Sequence, residues 1–132
     1  MNTIALTDSQ REQLRSALEL RKEQLLQELD AVQRDTLAVA SAASRGQADP
    51  AGSPRDQANS MAADMVRDAE AARDHAELTA VRAALERLAD GSYGECTDCG
   101  QSVGAARLQA QPHAARCIAC QTQAEASVKL GA

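Results

Sequence analysis

Apolar positions recur with a helical period through the first two thirds of the chain. From Thr7 onward, Leu18, Leu25, Val32 and Val39 follow one another every seven residues, with Leu29, Thr36 and Ala43 interleaved four positions later. Charged stretches such as RKEQ and QRD occupy the remaining faces. The pattern is that of one long amphipathic helix with a narrow seam for a partner. Thr7 or Asp8 can cap it, and the helix is expected over about residues 8–44.

The period stops at SRGQADPAGSPRDQA (44–58), whose Gly, Pro and small polar residues predict a loop over 45–53. Helix then resumes over about 54–90, with Ser53 as N-cap, Pro54 at the first helical position and Asp56 three residues past the cap. Along this second helix Ala58, Ala62, Met65, Ala69, Ala72, Ala76, Thr79 and Ala83 alternate steps of four and three. A second stripe, Leu78, Val81, Leu85 and Leu88, begins near its end. The alanine seam is expected to face the Leu/Val seam of the first helix, because small residues let two helices approach closely. The second stripe is expected to seat the base of this hairpin on the segment that follows. Gly91 ends the helix.

These elements predict a mainly α fold. A long antiparallel coiled-coil hairpin (1–90) is followed by a small module (91–132) that closes with a short helix over QTQAEASVKL. Composition adds that neither part has much large-residue core. The 132 residues include no Trp, no Phe, one Tyr and 29 Ala. Small side chains bury little area each at about 25 cal/mol per Å², so stability must come from close helix packing, a metal, or both. Dimerisation through the alanine seam is possible, but an intramolecular hairpin would already satisfy it, and the chain is expected to be a monomer.

Charge narrows the function classes. The net charge is −5, and the whole excess lies in residues 1–90, with 11 Lys/Arg against 16 Asp/Glu. Residues 91–132 hold three of each sign. A protein that grips duplex phosphates needs a basic excess, and one that binds single strands needs aromatic platforms. Only Tyr93 is available for stacking, so direct nucleic-acid binding is disfavoured. No apolar run reaches the roughly 20 residues of a membrane span, and the start MNTIALTDSQ lacks the basic and apolar regions of a signal peptide. The expected location is the cytoplasm.

The chemistry is concentrated in YGECTDCG (93–100) and CIAC (117–120), which hold every cysteine. Cys96, Cys99, Cys117 and Cys120 form C-x₂-C-x₁₇-C-x₂-C, two pairs that can each offer two thiolates to one ion. A tetrahedral Cys₄ shell suits Zn²⁺, with Zn–S of about 2.3 Å; such a shell can also take iron or a cluster. With no open coordination position the metal would be structural. A reducing compartment disfavours two disulfides, and the βαβ context of a thioredoxin-like pair is absent. Gly94 and Gly100 supply the turns of the knuckle, and Tyr93 is expected to pack over it. His113 and His75 read as surface histidines, and no nucleophile–base set is present, so an enzyme is not expected.

The segment YGECTDCGQSVGAARLQAQPHAARCIACQ, preceded by a helical hairpin, resembles the DksA/TraR family of bacterial transcription factors. The match takes in Gly94, both cysteine pairs with their spacer, and RLQAQP with Arg107, Leu108, Ala110 and Pro112. Compared with longer members, the chain is short ahead of the hairpin. The resemblance implies binding to RNA polymerase without binding DNA. In that family the hairpin enters the secondary channel, and its tip approaches the active centre and alters open complexes. The family tip motif, D-x-x-D-x-A, falls on SPRDQA: Asp56 and Ala58 match, and Ser53 stands in place of the first acid. Asp49 lies nearby but out of register. Asp56 thus reads both as a partner of the Ser53 cap and as the tip carboxylate, and Arg73 falls where the family has a polymerase-contacting arginine. Where the family places cations for the alarmone ppGpp, this chain has Ala80, Gln111 and Gln121, with Glu77 near. A polyanion needs cations there, so the expected action is independent of ppGpp.

Two other classes share parts of this pattern. A GATA-like DNA-binding finger has the same cysteine spacing but needs a basic tail, whereas QTQAEASVKLGA carries one Lys and one Glu. A structural or adaptor coiled coil could use zinc simply to close its hairpin, and the incomplete tip motif leaves room for it.

Overall fold

The computed structural model describes residues 6–44 and 53–131. Most of the predicted loop, 45–52, with Asp49, lies outside them; Ser53 is described. Four helices follow in order: α1 (Asp8–Ser44), α2 (Pro54–Asp90), α3 (Ala105–Ala110) and α4 (Ile118–Gly131). Among the described residues the only strand-like pairing is an isolated antiparallel bridge between Glu95 and Ser102. Helices α1 and α2 pack as a hairpin. The short α3 lies in a segment whose pattern carries no helical period long enough to announce it.

Both long helices start on the chemistry written in their caps. Thr7 is the cap of α1: the Gln10 N–H donates to Thr7 Oγ1 at 3.1 Å, and the Thr7 N–H donates to Gln10 Oε1 at 3.0 Å. This reciprocal pair satisfies two of the donors a helix start leaves open. At α2 the Asp56 N–H donates to Ser53 Oγ at 3.1 Å, and Pro54, which has no N–H to satisfy, takes the first position. The α2 end closes on one carbonyl, Arg87 O, which accepts from the N–H groups of Gly91, Ser92 and Tyr93 at 2.9–3.1 Å. Asp90 Oδ1 then accepts from the Ser92 N–H and hydroxyl at 2.9 and 2.6 Å. Those two bonds hold its carboxyl below the usual range.

The chain divides into two compact units, one formed by residues through Lys22 with those from Thr79 onward, the other by Glu23–Leu78. The first contains the core. Leu14 and Leu18 of α1, Val81, Ala84 and Leu88 of α2, and Tyr93, Val103, Leu108 and Ala114 beyond it are all buried. A fully buried Leu such as Leu18 contributes about 1.5–3 kcal/mol.

In the second unit Leu25 and Leu78 are buried. The α1 seam fades along it: Val32 is half-buried, Thr36 and Val39 are exposed, and the side chain of Ala43 lies outside the description. Residues 33–41 and 53–70 are exposed throughout. The expected α2 seam is not the buried one. Ala58, Ala62, Met65, Ala69, Ala72, Ala76 and Thr79 are all exposed, and only Ala83 is half-buried. The face that packs runs through Ala71, Asp74, Leu78, Val81, Ala84 and Leu88. At 3.6 residues per turn it lies on roughly the opposite side of the helix from the alanine stripe. Burying Leu and Val gains more than burying Ala methyls, so the larger stripe takes the inside. The ground for expecting this seam to be satisfied within one chain is thereby removed.

Candidate metal centre

The Cys96–Cys120 region is folded by a few local bonds. Beyond the end of α2 the Val103 N–H donates to Gly94 O at 2.8 Å and the Cys96 N–H to Gln101 O at 2.7 Å, closing a tight knuckle around the first cysteine pair. Gly94 and Gly100 hold φ of +93° and +76°, a region that other residues enter at a cost. The Thr97 N–H donates to Ala115 O at 2.9 Å, which brings the second pair alongside the first. Cys117 directly precedes α4 and Cys120 sits in its first turn.

The four cysteine sulfurs lie within 4.8 Å of one another, and Cys99 Sγ is 3.8 Å from Cys117 Sγ. Four thiolates arranged tetrahedrally about Zn²⁺ at about 2.3 Å stand about 3.8 Å apart, so the donor set fits one ion. Electrostatics agree. Burial pushes the Cys96 thiol up, but backbone N–H groups of Cys117, Cys99 and Asp98 pointing at its sulfur outweigh that and bring it down to about 6. At Cys120 the neighbouring thiols of Cys117 and Cys96 push the other way and hold the proton on. Four thiolates this close ionise together only around a cation. The closed shell makes the ion structural Zn²⁺, with Cys96, Cys99, Cys117 and Cys120 as ligands.

Two features around the site were not announced by the cysteine spacing. Asp98, inside the first pair, accepts from Arg116 Nε at 2.8 Å, while Arg107 Nε donates to Arg116 O at 3.0 Å. Arg116, directly before Cys117, thus links α3 and both cysteine pairs. Tyr93 is buried as expected, and its hydroxyl donates to Pro112 O at 2.8 Å across the module. Burial pushes its ionisation up to about 12, against a smaller opposing effect of the Arg87 charge. His113 is half-buried and His75 exposed, and neither joins the ligand group.

The other residues singled out lie apart from the metal in sequence and on the helices. Ser53, Asp56 and Ala58 are exposed on the first turns of α2, and Arg73 is exposed further along it. Ala80 and Gln121 are half-buried and Gln111 is exposed. Gln121 lines an open groove of about 540 Å³ with Arg116, Ala124, Glu125 and Val128.

A zinc-capped helical hairpin with a Cys₄ finger is the class this geometry defines. Residues 91–126 match the model of the prokaryotic dksA/traR C4-type zinc finger. The RNA polymerase-binding transcription factor DksA of Haemophilus influenzae is 38% identical over 53 residues, 40% of this chain and 37% of the relative. The factor of the same name from Caulobacter vibrioides is 40% identical over 48 residues, 36% of this chain and 34% of the relative. The chain thus aligns with little more than a third of the length of these curated relatives. The solved structure of transcription factor DksA2 from Pseudomonas aeruginosa superposes with a TM-score of 0.69 at 22% identity, covering 92% of this chain and 88% of that one. Residues 91–126 are thus similar to the DksA/TraR zinc finger, and the fold is that of DksA2 over 92% of the chain.

Proposed function

We propose that the protein regulates transcription by binding bacterial RNA polymerase, with the hairpin entering the secondary channel and its tip reaching the active centre. The observation that carries this reading is the pairing of a C4 finger of the dksA/traR kind with a two-helix hairpin whose far turns leave their side chains exposed, Asp56 among them. Curated relatives that share the finger are named as RNA polymerase-binding factors. A helix start that keeps Asp56 exposed beside Ser53 suits a tip acting through a carboxylate. Ala58 completes the tip, and Arg73, exposed on the same helix, serves as a further polymerase contact.

The action alters open-complex stability without contact to DNA, in line with three charges of each sign in residues 91–132. It is independent of ppGpp, since Ala80, Gln111 and Gln121 offer no cation to a polyphosphate. The protein works in the cytoplasm, is not an enzyme, and engages polymerase as a single chain. Among the described residues no helix is long and apolar enough to cross a membrane.

The test is binding of the zinc-loaded chain to RNA polymerase core, with open-complex lifetimes measured for wild type and Asp56→Ala. Wild type should bind and shorten the lifetime, and Asp56→Ala should bind without shortening it. Absence of binding at micromolar concentration would overturn the reading in favour of a structural adaptor.

A further inference from the structure

Three contacts join the two cysteine-bearing segments, and they fall on consecutive residues. The Thr97 N–H donates to Ala115 O at 2.9 Å, Arg116 Nε donates to Asp98 Oδ2 at 2.8 Å, and Cys99 Sγ stands 3.8 Å from Cys117 Sγ. Each contact joins residues 18 positions apart, so 97–99 runs beside 115–117 in one constant register. The first two contacts need no metal. A Cys₄ site requires sulfur from Cys96, Cys99, Cys117 and Cys120 but places no demand on positions 98 and 116. The ion pair there is a separate device. Arg116 is held from its other side as well, since Arg107 Nε donates to its carbonyl at 3.0 Å. Both its backbone and its guanidinium are therefore tied directly before Cys117, as Asp98 is tied directly before Cys99.

We propose that Asp98 and Arg116 are positioning residues for the metal centre: their ion pair latches one cysteine pair to the other and slows release of the ion. An ion held by four thiolates leaves only when the two pairs part, because either pair alone offers two ligands. Parting them breaks the Thr97–Ala115 bond and the ion pair along the same edge as Cys99 and Cys117. Neither Asp98 nor Arg116 is a ligand; each acts through the cysteine that follows it. The inference rests on the donor set of the metal centre and does not require the proposed role at polymerase. The Arg116 and Asp98 side chains are 41% and 44% exposed, so dissolved salt reaches the latch. A bond made directly to a metal ligand typically changes affinity about 10–100-fold. An exposed pair one residue removed gives a smaller factor.

Transfer of zinc from the loaded full chain to excess pyridylazoresorcinol, followed by absorbance, tests this without polymerase. Asp98→Asn and Arg116→Gln should each speed release about three- to fivefold at low salt. Asp98→Arg combined with Arg116→Asp should return the rate to within about twofold of wild type, a rescue that general loss of structure would not allow. Raising salt from about 0.05 M to about 1 M should bring wild type toward the single variants, because screening removes the same attraction. Cobalt(II)-loaded protein should keep one tetrahedral thiolate spectrum throughout, showing that the ligands themselves are unchanged. Release at the wild-type rate in both single variants overturns the proposal. So does a double swap that releases as fast as the single variants, or a wild-type rate indifferent to salt. A cobalt spectrum altered by either single substitution also overturns it, since the pair would then shape the ligand set and not its closure.

Discussion

The zinc end and the far turns of the hairpin are stabilised by different physics within the same two helices. In the unit that holds the cysteines, Leu14, Leu18, Val81, Leu88, Tyr93, Val103 and Leu108 are buried, drawn from α1, α2 and the segment beyond them. In the far turns, residues 33–41 and 53–70 are exposed throughout. What holds them helical is local: abundant alanine, the Ser53 cap, and ion pairs one turn apart such as Arg34–Asp30 at 3.2 Å and Arg67–Asp64 at 3.7 Å. Thr36 Oγ1 donates to Val32 O within the same helix, another bond that needs no tertiary partner. A long helix of good helix formers can project without a core, whereas a small module of loops cannot fold without a core or a metal.

The sharpest way to break this contrast is to remove the metal. Structural zinc sites contribute about 10–16 kcal/mol of binding free energy to folding, so chelation or Cys117→Ser should unfold the module between Tyr93 and Arg116. Hydrogen exchange should then lose protection near Leu108, while circular dichroism retains much of the α1 and α2 signal. Unchanged protection near Leu108 would mean that the side-chain core, not zinc, organises the module.

Next in size is a matched pair of truncations. Leu18→Ala empties a fully buried site on α1 and should cost about 2–5 kcal/mol in urea unfolding. Leu37→Ala, at a residue 61% exposed on the same helix, should stay within about 0.5 kcal/mol. Equal costs for the two would show that the far turns are packed in solution.

Tyr93→Phe removes the bond to Pro112 and should cost about 0.5–1.5 kcal/mol near neutral pH. The same residue predicts an alkaline limit. In the unfolded chain Tyr93 ionises near its ordinary value of about 10; in the folded chain burial holds it neutral up to about 12. The stability it contributes is therefore fully present below about pH 10 and is lost as pH rises through about 12. Wild type should lose urea resistance between about pH 10 and pH 12 more steeply than Tyr93→Phe. Parallel profiles would remove the tyrosine from the account.

The smallest effect belongs to the tip. Ser53→Ala loses the cap of α2, a local cost of about 1 kcal/mol. In turns without packing it should appear as faster exchange from Arg55 to Gln57, with the global urea midpoint almost unmoved. A shift in that midpoint would mean that the tip is coupled to the core.

Legibility in the sequence followed the same division. The caps at Thr7 and Ser53, the stop at Gly91 and the extent of both long helices could be read directly, because each rests on bonds within one turn of the chain. The clustering of the four cysteines was equally plain, since four thiols in two close pairs leave few other uses. Helix α3 and the Asp98–Arg116–Arg107 chain were not readable: a six-residue helix has no period, and an ion pair 18 positions apart has no local signature. The alanine seam misled because of its regularity. Periodicity locates a stripe on a helix but carries no information about which of two stripes turns inward.

What the sequence by itself determined is thus the two long helices and the terminal one, the caps of the long pair and the clustered cysteines, all governed by short-range bonding or by ligand chemistry. Only the tertiary structure decided which face of α2 meets the interior. That choice compares the areas two stripes can remove from water against the same partner, and Leu78, Val81 and Leu88 bury more than the alanines opposite them. Where the larger residues end, at Leu78, the inward face of α2 turns polar and packing stops within a few turns.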